Sequence, residues 1–161
     1  MTFTEALRAR RSIRSYRAGD LTQAQIDALL EAAMLAPSAN NSRPWDFIVV
    51  RSRETLDKIA DLHPYAKMLK EAPLAIVICI RELSPFSPQD CGAAAENLLL
   101  AAADLGLGAC WCGVYPRPEL IAALQKTLGT EAIPFNVIAV GYPNESPKQR
   151  GLYDASRVTW V

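Results

Sequence analysis

The chain has 161 residues, 50% of them hydrophobic, enough to bury a sizeable core within one domain. Its 17 basic residues are balanced by 17 acidic ones, so no global field draws it to nucleic acid or to an anionic membrane. The longest apolar run, residues 74–80, is far short of a membrane span, and the N-terminus carries no apolar signal region, so a cytoplasmic location is expected.

Thr2 and Glu5 have the spacing of a capping box, which predicts a short helix carrying Leu7 and ending at the arginines of residues 10–14. Thr22 and Gln25 repeat the signal, and the helix after them places Ile26, Leu29, Leu30 and Ala33 on one face before stopping at Pro37. A turn of small polar residues leads from there into a strand at 47–50. Residues 53–62 and 65–71 read as shorter helices. Residues 74–80 are apolar at every position, which predicts a mid-sheet strand covered by helices on both faces. Residues 90–105 are rich in Ala and Leu with few charges, the pattern of a buried helix, with Gly106 as its C′ residue. In a chain this small, such a helix is expected to pack on a partner subunit as well as on its own sheet. A short strand at 109–113 follows, then a helix framed by Pro118 and Gly129, and a last core strand at 135–141.

From Tyr142 onward the sequence changes to a turn-prone linker, the basic residues Lys148 and Arg150, and a β-like end at 157–161. This tail is too short to fold alone and too apolar to float free, so it is expected to add to a sheet edge, its own or a partner's. The whole, residues 1–161, is predicted to be a single α+β domain with a central mixed sheet flanked by helices and an extended tail at 142–161.

The cysteines are Cys79, Cys91, Cys110 and Cys112, and the one histidine is His63. That set lacks the paired ligands of a zinc site, so buried free thiols in a reducing compartment are expected. No Gly-x-Gly-x-x-Gly or Walker-type loop is present, and the pair Gly106 and Gly108 is weak evidence for any function. His63, before Pro64, reads as an incidental loop residue.

Two segments carry chemistry. Arg8, Arg10, Arg11, Arg14 and Arg17 would by themselves be a solvated helix face. With Ser12 among them and a helix end close by, donors converge as a phosphate monoester requires. A nucleic-acid patch would want stacking aromatics, and only Tyr16 is near. The turn Pro37, Ser38, Ala39, Asn40, Asn41, Ser42, Arg43, Pro44, Trp45 alone is an ordinary helix stop. Its free amides and small polar side chains also suit the edge of a planar heterocycle. A ligand with a phosphate at one end and a polar ring at the other would join the two segments, and flavin mononucleotide (FMN) is such a ligand.

The order of these segments, with the Gln-Asp-Cys…Glu-Asn-Leu-Leu-Leu-Ala-Ala helix at 89–102 and the Cys-Gly-Val-Tyr-Pro turn at 112–116, resembles the short members of the nitroreductase family. The resemblance covers nearly the whole chain. It implies a homodimer with the C-terminal strand exchanged between subunits, FMN as cofactor, NAD(P)H as hydride donor and a small electron-poor acceptor such as a nitroaromatic or quinone. Donor and acceptor would alternate at one face in ping-pong hydride transfer through flavin N5. The resemblance further implies that Arg10, Arg11, Ser12 and Arg14 hold the phosphate and the polar ring edge. Pro37, Ser38, Ala39, Asn40 and Asn41 would come from the other subunit, and the amides of Cys112 and Gly113 would approach N5. Lys148 and Arg150 would close over the phosphate.

Three departures stand out. Arg43 occupies the place of a common Gln. Lys67 or Lys70 would have to serve for a ring-contacting lysine, and the connection at 82–88 leaves little material for a lid. Other flavin chemistry on the same fold (reductive dehalogenation or flavin breakdown) and a flavin-binding module with little turnover are the alternatives. No side-chain catalytic residue is expected, because the flavin would carry the chemistry. No metal, nucleic acid or membrane partner is expected.

Overall fold

Among the residues that the computed structural model describes, 1–149, 151 and 153–161, the chain forms ten regular elements in this order: α1 (Phe3–Ala9), β1 (Tyr16–Arg17), α2 (Gln23–Met34), β2 (Trp45–Val50), α3 (Arg53–Leu62), β3 (Leu74–Ile80), α4 (Ser87–Asp104), β4 (Gly108–Gly113), α5 (Pro118–Leu128) and β5 (Ile133–Pro143). Both capping boxes form as the sequence predicts: the Thr2 amide donates to Glu5 at 2.7 Å, and the Thr22 amide to Gln25 at 2.9 Å. Gly106 follows α4 with a left-handed φ of 70°, as its C′ placement requires.

The alternation of side chains along β3 divides the core in two. Leu74, Ile76, Ile78 and Ile80 face α2 and α4, where Leu29 and Leu98 complete the packing. Ala75, Val77 and Cys79 face α3 and α5, where Ile59 and Leu124 do so. Each fully buried Leu or Ile contributes about 1.5–3 kcal/mol relative to exposure, so β3 is the stable centre on which the rest is hung.

The sheet runs β2–β3–β5, and β4 and β1 lie end to end along the other edge of β5. Among the described residues every ladder is antiparallel, which corrects the expectation of a mixed sheet; the one parallel contact among them is an isolated bridge between Ser12 and Ala109. The cause is an insertion. Helix α4 carries the chain from β3 to a β4 of the same direction, as a parallel crossover does, but β5 enters between them and runs antiparallel to both.

Two further boundaries differ from expectation. Strand β5 continues through Tyr142 and Pro143, because these residues pair with Arg17 and Tyr16 of β1. Residues 65–71, expected to be helical, contain only the 3-10 turn Lys67–Lys70. The β-like end at 157–161 forms no strand within this chain: it follows a 3-10 turn at Ala155–Arg157 and is exposed, as is Trp160 at its tip. Among the described residues, strand β2 pairs with β3 alone, which leaves its outer edge open. No helix among the described residues is long and apolar enough to cross a membrane.

Candidate functional site

Helix α1 ends at Arg10, its C-cap, and the chain turns out along the free edge of β4. There the Ile13 amide donates to the Ala109 carbonyl at 3.0 Å, which lays Ser12 and Ile13 beside the strand. The chain leaving β5 runs alongside. The Asn144 amide donates to the Ser15 carbonyl at 2.9 Å, and Glu145 Oε1 accepts from the backbone amides of Arg14 and, at 3.2 Å, Ser15. Arg11 ties the same segment down further along, its Nε donating to the Pro147 carbonyl at 3.3 Å.

These contacts enclose a recess of about 390 Å³ walled by Arg10, Arg11, Ser12, Arg14, Glu145, Pro147 and Lys148. Four cations meet one carboxylate there, and that carboxylate already has an oxygen committed to backbone amides. The donor set therefore fits a dianionic oxyanion. The arginines are not equivalent. Arg10 pairs with Glu96 at 3.2 Å, and Arg11 spends its donors on the carbonyls of Arg8, Arg10 and Pro147. Arg14 forms no ion pair among the described residues, and its guanidinium makes only a long 3.5 Å contact to the Ser12 carbonyl.

Arg14 also borders a second recess, of about 520 Å³, with Tyr65, Met68 and Trp111 supplying apolar wall and Lys67, Cys110, Cys112 and Gly113 completing it. The pairing of β4 decides what faces this space. The Val114 amide donates inward to Phe135, while the Ala109 carbonyl faces outward to Ile13. By the antiparallel alternation, the backbone groups of Ala109, Trp111 and Gly113 all lie on the edge away from β5. The Gly113 amide is thus aimed at the edge where the recess lies. Its carbonyl, on the same edge, accepts from His63 Nε2 at 3.0 Å and from Arg117. A planar ring with a hydrogen-bond acceptor on its rim suits this end.

Of the two candidate lysines, Lys67 lines the second recess, with its Nζ donating to the Ala60 carbonyl at 2.7 Å, whereas Lys70 is paired with Asp61 at 2.7 Å. Cys112 is buried and points its thiol at the Tyr65 carbonyl, 3.3 Å away. The neighbouring Cys110 and burial together push the Cys112 thiol up, and burial pushes Cys79 and Cys91 up to about 12. All four cysteines are free, and no metal-binding cluster is present among the described residues. His63 is fully buried, and burial holds its imidazole below the ordinary histidine range.

The polar turn stands apart from both recesses. Ser38 accepts the Arg43 amide at 3.0 Å, Ala39 donates to Asp90 at 3.1 Å, and Asn40, Asn41 and Arg43 are left-handed, with φ of 54°, 54° and 47°. Pro37 is exposed, and the Arg43 side chain bonds Asn41 at 3.0 Å and borders a groove along α2. The turn leads into β2 at the far edge of the sheet from β4. One chain therefore brings together Arg10, Arg11, Ser12, Arg14, Lys67, Cys112, Gly113 and Lys148, but not residues 37–43. Arg150 lies outside the described residues. Tyr65, Met68, Trp111 and Glu145 also line the recesses, and no local signal in the sequence marks them.

The family model described as the nitroreductase family matches residues 7–63 and 60–142. A protein of Methanothermobacter thermautotrophicus that carries a provisional NADH dehydrogenase/NAD(P)H nitroreductase name is 46% identical over 164 residues, covering 98% of this chain and 86% of its own. Among solved structures, the FMN-dependent nitroreductase of Clostridium difficile superposes with a TM-score of 0.90 at 32% identity, covering 96% of each chain. A Desulfovibrio desulfuricans protein with a provisional nitroreductase name, solved in complex with FMN, does so with a TM-score of 0.86 at 27% identity, covering 100% of this chain and 97% of its own.

Proposed function

Because this chain belongs to the nitroreductase family, we propose that it is an FMN-dependent oxidoreductase of the cytoplasm that uses NAD(P)H to reduce a small electron-poor acceptor, such as a nitroaromatic or a quinone. The observation that carries this reading is the meeting of two recesses at Arg14, one lined by cations and Ser12, the other by aromatic wall and the Gly113 amide. When bound, FMN supplies hydride acceptance and donation at N5.

The protein's own groups bind and orient. Arg14, Ser12 and Lys148 donate to the phosphate, with Arg10 sharing its charge between that site and Glu96. Arg11 acts at one remove, holding residues 145–148 against the arginine segment. The Gly113 amide would donate to the ring edge, and the Lys67 ammonium would offset negative charge there. Met68, Tyr65 and Trp111 would supply apolar surface against the ring.

The homodimer completes the site. Residues Pro37, Ser38, Ala39, Asn40, Asn41 and Arg43 of a second subunit lie against the ring, and the tail, including Lys148 and Arg150, straps the subunits together. The open edge of β2 and the exposed residues 157–161 support this exchange, and four free thiols support a reducing compartment.

The test is to load the protein with FMN and follow NADH and NADPH consumption with a nitroaromatic and a quinone, alongside light scattering. Steady oxidation of a nicotinamide by a species of about twice the chain mass is expected. Flavin retention without turnover would leave a binding module and refute the oxidoreductase; a flavin-loaded monomer would refute the shared site.

A further inference from the structure

His63 is the one histidine of the chain, fully buried, and it makes no contact with the cation-lined recess. Both of its ring nitrogens are nevertheless committed, and each to a different wall of the ring-sized recess. Nδ1 receives the Tyr65 amide at 3.1 Å, and Nε2 lies 3.0 Å from the Gly113 carbonyl. An amide only donates and a carbonyl only accepts, so the tautomer is fixed: the proton sits on Nε2 and the lone pair on Nδ1. A protonated ring would put a hydrogen against the Tyr65 amide, and an apolar side chain would leave that amide unpartnered.

We propose that His63 is a positioning residue for the ring end of the site, setting the gap between the Tyr65 wall and the Gly113 edge. The inference rests on the flavin reading of that recess. Gly113 presents its amide and its carbonyl on one strand edge, and with Cys112 and Val114 paired to β5 on either side, a group that holds the carbonyl limits the rotation that would turn the amide away. Arg117, the N-cap of α5, holds the same carbonyl, and Cys112 returns a bond from β4 to Tyr65 through its thiol at 3.3 Å. The imidazole is the piece that reaches both walls with a rigid ring. Arg117 reaches Gly113 alone, and Cys112, next to Gly113 on β4, spans the same gap only through one rotatable thiol contact at 3.3 Å.

Three variants separate the two ends of the imidazole. His63→Leu removes both bonds, His63→Gln restores a donor near Nε2, and His63→Asn restores an acceptor near Nδ1. For each, FMN dissociation from the protein, the midpoint potential of the bound flavin, apo-protein melting and hydrogen exchange of the Tyr65 amide are measured. His63→Leu should weaken FMN binding by about tenfold, the scale of one lost hydrogen bond to a buried partner, shift the potential, and expose the Tyr65 amide to exchange. His63→Gln should recover the wild-type potential, and His63→Asn the Tyr65 protection.

Equal FMN affinity and potential in wild type and His63→Leu would overturn the proposal. So would a loss confined to apo-protein melting, or one that Gln and Asn fail to divide. If His63→Leu does not fold, the Gln and Asn variants carry the same comparison. A wild-type protein that takes up no FMN would refute the flavin reading, while Tyr65 exchange in the variants still judges whether His63 sets the wall.

Discussion

Replacing Arg14 with alanine should separate cofactor binding from stability more cleanly than any other single change at the arginine cluster. Arg14 is exposed, makes one long contact within the chain and has no carboxylate partner among the described residues, so its loss removes little from the folded state. It is also the side chain common to both recesses. A charged hydrogen bond contributes about 1.5–3 kcal/mol, which predicts an FMN dissociation constant raised roughly 10- to 150-fold. Arg10→Ala should do less to binding, because that guanidinium is shared with Glu96 at 3.2 Å. Arg11→Ala should lower stability as well, since it releases the Pro147 carbonyl and the segment around it. Fluorescence titration of flavin-free protein gives the dissociation constants, and urea unfolding of the same samples gives stability. An Arg14→Ala protein that binds FMN as tightly as wild type, while Arg10→Ala does not, would refute the ranking and the assignment of Arg14 as the free donor.

A methyl group added at Gly108 would lie 2.8 Å from the Ile13 side chain, so Gly108→Ala should cost about 1–3 kcal/mol and push residues 12–14 off β4, which denaturation and flavin titration together would register. Deleting residues 148–161 should weaken both FMN binding and subunit association, read by flavin dissociation and by analytical ultracentrifugation; a truncated chain unchanged in both would show the tail to be passive. His63 gives a pH prediction. Burial depresses its folded-state pKa, so below the unfolded value of about 6.5 the unfolded chain binds the extra proton. The stability contribution is intact above that pH and is lost as pH falls below it toward the depressed folded value. The melting temperature should drop from pH 7.5 to pH 5, and less steeply in His63→Asn; parallel curves for the two proteins would contradict this.

Features written in short stretches of chain are legible in the sequence itself. The seven apolar residues of β3, the two capping boxes and the glycine after α4 each depend on neighbours within a few positions. What local pattern does not disclose depends on partners far away. Tyr142 and Pro143 are strand residues only because Tyr16 and Arg17 lie beside them, and the sheet is antiparallel only because β5 enters between β3 and β4. At the site, composition marks the arginines, but nothing near His63 in sequence points to Gly113. Nor does local pattern disclose that Lys70 pairs with Asp61 while Lys67 lines the recess.

Strand β4 also acts as a ruler. Ile13 docks on Ala109, and the Gly113 amide lies four residues further along the same edge. At about 3.3 Å per residue the two points stand about 13 Å apart. Because β5 pairs with that whole stretch, no loop movement stretches or shortens the interval. On the proposed assignment of the arginine segment to the phosphate and the Gly113 amide to the ring, the strand gauges its ligand by length, and a molecule lacking the anionic end, such as riboflavin, would reach one mark and not the other. The same rigidity limits how the chain can vary. A single residue inserted between 109 and 113 would move the far mark by one rise and turn it toward β5.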